Sequence, residues 1–194
     1  MKKININLFI LLTGIILLTS FSSAHGQLAV DPAASSLKWT GYHLGKSYEH
    51  YGFVTLKEGK LEIRDSKITA GEFVIDMNSI TAEDVTDAKD NNKLVNHLKS
   101  DDFFSTKKFP EAKLVITGSE LAGHGKLKTS GNLTIRGITK PITFETTLVE
   151  KNGAYEAYAD LKIQRTDYKV MYGWKVENAI LSGEFRMEVK VVAR

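Results

Sequence analysis

The 194-residue sequence has no cysteine, only 3 prolines and almost no charge excess of one sign. Without cysteine there is no disulfide scaffold, no thiolate metal site, no Cys nucleophile and no lipid-modified cysteine anchor. Lys and Arg number 26 against 23 Asp and Glu, and Lys2 and Lys3 supply two of the three net positive charges. No basic cluster remains that would recognise nucleic acid. Catalytic spacings are missing too. No Gly-x-Ser-x-Gly elbow activates a serine, and no His-x-His or His-Glu-x-x-His pair offers metal ligands. Asp84, Asp87 and Asp90 lack the glycine and distal glutamate of a calcium loop, so they read as a solvated helix start. Asp101 and Asp102 are adjacent and would diverge in an extended chain, which disfavours an acid–base pair. Neither an enzyme nor a cofactor is expected.

What is present divides unequally. Residues 1–26 read as a cleaved secretory signal, with Lys2 and Lys3, an apolar run from Leu8 to Leu18, and small residues around Ala24. The run falls short of the ~20 apolar residues that span a bilayer. Residues 27–194 are then one exported domain, periplasmic or secreted, with no stable membrane insertion. At 42% hydrophobic and 25% charged, the chain is too apolar for disorder and too polar for a multispan membrane protein.

Period-two alternation dominates the domain. Leu127, Thr129, Gly131, Leu133 and Ile135 share one face, against Lys126, Lys128, Asn132, Thr134 and Arg136. After a turn over 136–141, Ile142, Phe144, Thr146 and Leu148 repeat the pattern. Asn152-Gly153 predicts a tight hairpin into Tyr155, Ala157, Ala159, Leu161 and Ile163. The last strand alternates through Leu181, Gly183, Phe185, Met187, Val189 and Val191. Upstream strands are marked by Leu37 and Trp39, by residues 51–57, by Leu61 and Ile63 after a turn at Glu58-Gly59, by Phe73, Ile75 and Met77, and by Ala112, Leu114 and Ile116. About eight regularly spaced strands predict an all-β fold, a single antiparallel barrel or a sandwich. One stretch differs: Leu94, Val95 and Leu98 recur at helical spacing within 86–100, predicting one short amphipathic helix over an end of the sheet. Phe103, Phe104 and Phe109 would clamp that helix to the sheet.

A small barrel is either filled by side chains or holds one small ligand. Gly131, Ala157, Ala159 and Gly183 put little volume on the inner face, which suits a cavity; glycines also permit the bends that closure requires. Both readings stay open on pattern alone. The candidate lining set is Trp39, Phe53, Phe73, Leu133, Ile135, Phe144, Leu148, Tyr155, Ala157, Ala159, Leu161, Phe185 and Met187. Tyr168, Tyr172 and Trp174, joining apolar bodies to polar handles, would rim its mouth. His43 and His50 near strand ends read as surface or hydrogen-bonded groups rather than metal ligands, and His97 as a structural hydrogen bond between helix and barrel.

Several segments together resemble the YceI-like family. Asn96-His-Leu-Lys-Ser100 with Asp101-Asp-Phe-Phe and Phe109-Pro110 is similar to its helix-and-turn motif. Gly131-Asn-Leu-Thr-Ile-Arg-Gly-Ile-Thr-Lys-Pro-Ile-Thr-Phe144 resembles its other long motif. Val30-Asp31-Pro32 with Ser35 and Ser36, and Arg165-Thr-Asp-Tyr168, fall in matching order. The resemblance spans about 28–193 and implies an exported, lipocalin-like eight-stranded barrel that binds a long-chain isoprenoid-type lipid, polyprenyl or quinone-like, without catalysis. The loop 169–178 is shorter than the family pattern, so headgroup preference is not carried over. The alternative is a packed structural or stress-related interaction barrel with no cargo. A homodimer through edge pairing is left open.

Overall fold

The computed structural model describes residues 26–43, 48–171 and 181–194. Residues 1–25 of the expected signal, Tyr172 and Trp174 lie outside the described residues. Nine strands form one antiparallel sheet: β1 (Leu28–Ala29), β2 (Ser36–His43), β3 (Glu49–Arg64), β4 (Lys67–Asp76), β5 (Glu111–Gly123), β6 (Lys126–Ile135), β7 (Ile138–Lys151), β8 (Ala154–Gln164) and β9 (Leu181–Ala193). Each of β2 to β9 pairs with the next, and β9 pairs back onto β2, so eight strands close a ring. Closure leaves β1 as a short extra strand on the edge of β3. The expected antiparallel barrel is therefore the fold, and the sandwich is excluded.

Local chemistry explains the turns. Asp65-Ser66, His124-Gly125, Arg136-Gly137 and Asn152-Gly153 all have both residues at positive φ, the backbone that matches the twist of two-residue hairpins. Two expected turns differ. Glu58-Gly59 is no turn: β3 runs straight through it with a bulge between Leu56 and Glu58. The turn expected over 136–141 is only Arg136-Gly137, and Pro141 lies within β7 opposite Asn132. Pro141 is tolerated because the ladder between β7 and β8 begins only at Thr146. A missing N–H there breaks no pairing on that side.

The two barrel ends are built differently. At one end the segment 28–35 crosses the opening. Val30 bridges Ala193 and donates to Gly59 O at 3.0 Å; Ser35 Oγ donates to Asp31 O at 2.7 Å and accepts from Val192 N at 3.1 Å. At the other end lies α1 (Ala88–Lys99), capped by Asp87, whose carboxylate accepts from the N–H groups of Lys89 and Asp90. A cap of this kind satisfies donors that the first helical turn cannot. Asp84 has a different task from the expected solvated start. It accepts from Tyr51 N at 2.9 Å and lies 2.6 Å from His50 Nδ1, fixing the approach to α1 against β3.

That approach runs tightly along β3. Thr81 N donates to Phe53 O and Glu83 N to Tyr51 O, continuing the ladder where β4 has ended. Trp39 Nε1 donates to Thr81 O at 3.0 Å. A Cβ on Gly52 would sit 2.0 Å from that same carbonyl oxygen. Since the obstacle is backbone, Gly52→Ala is expected to destabilise the fold by about 3 kcal/mol, the upper part of the overpacking range. Denaturant midpoints measure the loss, and hydrogen exchange should show amides of 81–99 opening first.

Candidate functional site

The barrel encloses a cavity of about 850 Å³. That lies in the usual range for small-molecule sites, ~300–1,000 Å³. It extends from Leu61, Ile68 and Val191 at the end crossed by 28–35 to α1, where the exposed Asp90 and Lys93 bring it to solvent. Its wall follows directly from strand alternation. Leu37 and Trp39 of β2, Phe73 and Ile75 of β4, Ala112, Leu114 and Ile116 of β5, and Leu133 and Ile135 of β6 face in; so do Ala157, Ala159, Leu161 and Ile163 of β8 and Phe185, Met187, Val189 and Val191 of β9. A wall of this composition favours hydrocarbon, each buried CH₂ contributing ~0.8 kcal/mol.

Ten of the candidate lining residues meet on this wall: Trp39, Phe73, Leu133, Ile135, Phe144, Ala157, Ala159, Leu161, Phe185 and Met187. Phe53 does not. It faces outward at 40% exposure, while Val54 and Leu56 on its strand line the cavity. Leu148 packs against the core and Tyr155 sits near the end of the β7–β8 hairpin, both off the cavity wall. Tyr168 is not a rim residue: it is 2% exposed, in the 3₁₀ turn Arg165–Tyr168, and burial pushes its hydroxyl pKa up.

The four small inner-face residues divide between the two readings. Ala157 and Ala159 border the cavity. Gly131 answers a close approach, since a Cβ there would meet Val115 O at 2.6 Å beside the bulge in β5. Gly183 lies off the wall, next to Gln164.

The helix end carries what the strand pattern did not reveal. Asp90, Lys93, Leu94, His97 and Leu98 form one face of α1 over the cavity, a 3–4 spacing that the helix places on one side. Phe103 and Phe104 clamp α1 and line the cavity as well, in edge contact with one another (5.1 Å), with Phe104 in turn against Phe185 (6.4 Å). His97 packs its ring 5.8 Å from Phe103. Phe109 packs on the β6–β7 turn at Gly137. The expected helix clamp is thus also a roof.

Charged groups hold that roof in place. Arg136 donates to Phe103 O at 2.7 Å and to Lys169 O, tying the β6–β7 hairpin to both the segment after α1 and the one after β8. Asp101 accepts from Lys108 at 2.8 Å and from Ser105, and these hydrogen bonds hold its carboxyl below the usual carboxylate range. Asp101 is a turn staple. Arg165, 5% exposed, donates to Ser182 O at 2.8 Å and Val170 O at 2.9 Å, and burial lowers its guanidinium pKa. His43 and His50 stand with their rings 6.5 Å apart, and among the described residues no three His, Asp or Glu side chains converge as metal ligands. No described helix is long and apolar enough to cross a membrane.

The model of the YceI-like domain matches residues 28–193. A UPF0312 protein of Shewanella denitrificans is 27% identical over 179 residues, covering 91% of each chain. One from Shewanella baltica is 31% identical over 144 residues, covering 73% of this chain and 71% of the relative. Among solved structures, BcnA of Burkholderia cenocepacia superposes with a TM-score of 0.69 at 22% identity, over 85% of this chain and 99% of that one. A polyisoprenoid binding domain from Saccharophagus degradans, implicated in plant cell wall breakdown, superposes with a TM-score of 0.64 at 15% identity, over 86% and 97%. At these identities the two superpositions establish the fold.

Proposed function

Since the chain belongs to the YceI-like domain family, we propose that it is a non-catalytic carrier that holds one long-chain isoprenoid-type lipid, polyprenyl or quinone-like, inside its barrel. The observation that carries this reading is the apolar cavity of about 850 Å³. A packed structural barrel would have no such space, and side chains lining it would lose their contacts for nothing in return. The polyisoprenoid binding domain that shares the fold supports the choice of lipid class. The apolar segment 1–26 supports an exported protein, periplasmic or secreted.

Specificity in such a carrier comes from cavity length and width and from a few polar groups. His50 on the wall stands 2.6 Å from Asp84, and that carboxylate also accepts from Tyr51 N, which ties the pair to the start of β3 rather than presenting it to a cargo. Equilibrium titration of the delipidated protein with a polyprenol tests the reading. Saturable binding at one site per chain is the expected result; no binding of polyprenol, quinone or squalene would overturn it.

A further inference from the structure

Apart from two threonines, the polar groups on the cavity wall gather at the helix end: Asp90, Lys93 and His97 on α1, His43 and His50 where β2 ends and β3 begins, and Arg165, Ser182 and Glu184 where β8 ends and β9 begins. One pair breaks the pattern. Thr129 of β6 and Thr146 of β7 line the half of the barrel away from α1, surrounded by apolar wall. They are 1% and 3% exposed. Thr129 Oγ1 donates to Thr146 Oγ1 at 2.9 Å. The pair owns two hydroxyl protons and this bond uses one. Among the described residues no acceptor is found for the proton of Thr146. A buried hydroxyl left this way opposes folding, and a β-branched apolar residue at the same place would not.

Building on the carrier reading, we propose that Thr146, oriented by Thr129, donates a hydrogen bond to a neutral oxygen of the cargo. The oxygen is a hydroxyl, a quinone carbonyl or an ether, and the lipid enters with that end first, its chain trailing toward α1. The wall around the pair decides the charge of the group. Leu37, Leu56, Ile116, Ala157 and Val191 border this half, and no Lys, Arg or His of the described residues lines it. A phosphate brought there would lose its hydration with no cation in exchange, so phosphorylated lipids are disfavoured. A purely structural cross-strand pair would be satisfied by an empty cavity and would be indifferent to the ligand's oxygen.

The test compares a polyprenol with squalene, an isoprenoid hydrocarbon of matched length without oxygen, on delipidated full-length mature protein. The wild type should bind the polyprenol about five- to tenfold more tightly, the value of one buried hydrogen bond. Thr146→Val should bind both alike, and Thr146→Ser, which keeps the hydroxyl, should restore the preference. The carbonyl stretch of a bound quinone should move to lower frequency in the wild type and in Thr146→Ser, but not in Thr146→Val. Thermal unfolding confirms that each variant folds, and the wild-type comparison stands even where one does not. Equal wild-type affinities, or a preference that survives Thr146→Val, would overturn the subsite and leave the carrier intact. Binding of neither ligand by the wild type would overturn the carrier reading and the subsite with it.

Discussion

Ala157→Trp is expected to abolish lipid uptake in a protein that still folds. Ala157 sits on β8 between Leu148 of β7 and Val191 of β9, with its methyl on the cavity wall and only 9% of its surface exposed. An indole there projects into the space the cargo would fill. Because the cavity is empty volume rather than packed core, much of the added bulk finds room. The cost should stay near ~1–3 kcal/mol, the ordinary range for overpacking. Binding of a polyprenol, read by titration, should fall below detection while the far-ultraviolet spectrum stays that of the wild type. A variant that kept its affinity would place the ligand elsewhere on the protein.

The second large effect concerns stability. Arg165→Met should destabilise the barrel by about 3–4 kcal/mol, because the guanidinium satisfies buried carbonyls that methionine cannot. Its donors reach Ser182 O, Val170 O and, at 3.4 Å, Leu181 O, linking the end of β8 to the start of β9. Each charge-assisted hydrogen bond contributes ~1.5–3 kcal/mol, and a stranded buried acceptor costs ~1–3 kcal/mol. For a chain of this size the loss corresponds to a fall of about 10 °C in Tm. Arg165→Lys should recover only part of it, since an ammonium is a point charge without the planar fork that spans several acceptors. A loss below ~1 kcal/mol in Arg165→Met would mean these carbonyls are hydrated once the arginine is gone.

How far the sequence reveals this structure depends on how cleanly each strand separates its two faces. β6 alternates without exception, and its inner residues Leu133 and Ile135 are on the wall as the pattern requires. In β3, Phe53-Val54-Thr55-Leu56 places apolar side chains on both faces, so parity is ambiguous, and Phe53 points out. Glu58-Gly59 reads as a turn because of its glycine, yet β3 continues through it with a bulge between Leu56 and Glu58 and Gly59 opposite Phe73. Hairpins with glycine at the second position were legible because the backbone they need is specific. Arg64-Asp65-Ser66 also reads as a turn from its run of polar residues, and Asp65 and Ser66 both take positive φ without any glycine.

The site was legible along the strands and obscure at its ends. Alternation identifies which side chains face inward but not how far the cavity extends, and the wall stops short of Leu148 and Tyr155 although their strand parity points them to it. The roof depends on where α1 docks, which no local pattern encodes. Tyr168 illustrates the limit: an amphipathic side chain in a loop suggests a rim, yet the 3₁₀ turn carries it into the core. Thr129 and Thr146 were visible as inward-facing threonines, but only the fold brings their hydroxyls together.

Native mass spectrometry of the protein purified from its own cells, followed by organic extraction, tests the carrier reading most directly. One stoichiometric adduct per chain that extracts as a polyprenyl compound or an isoprenoid quinone is the expected result. An adduct-free protein that also takes up neither added polyprenol nor quinone would contradict it and leave the structural barrel without cargo as the better description.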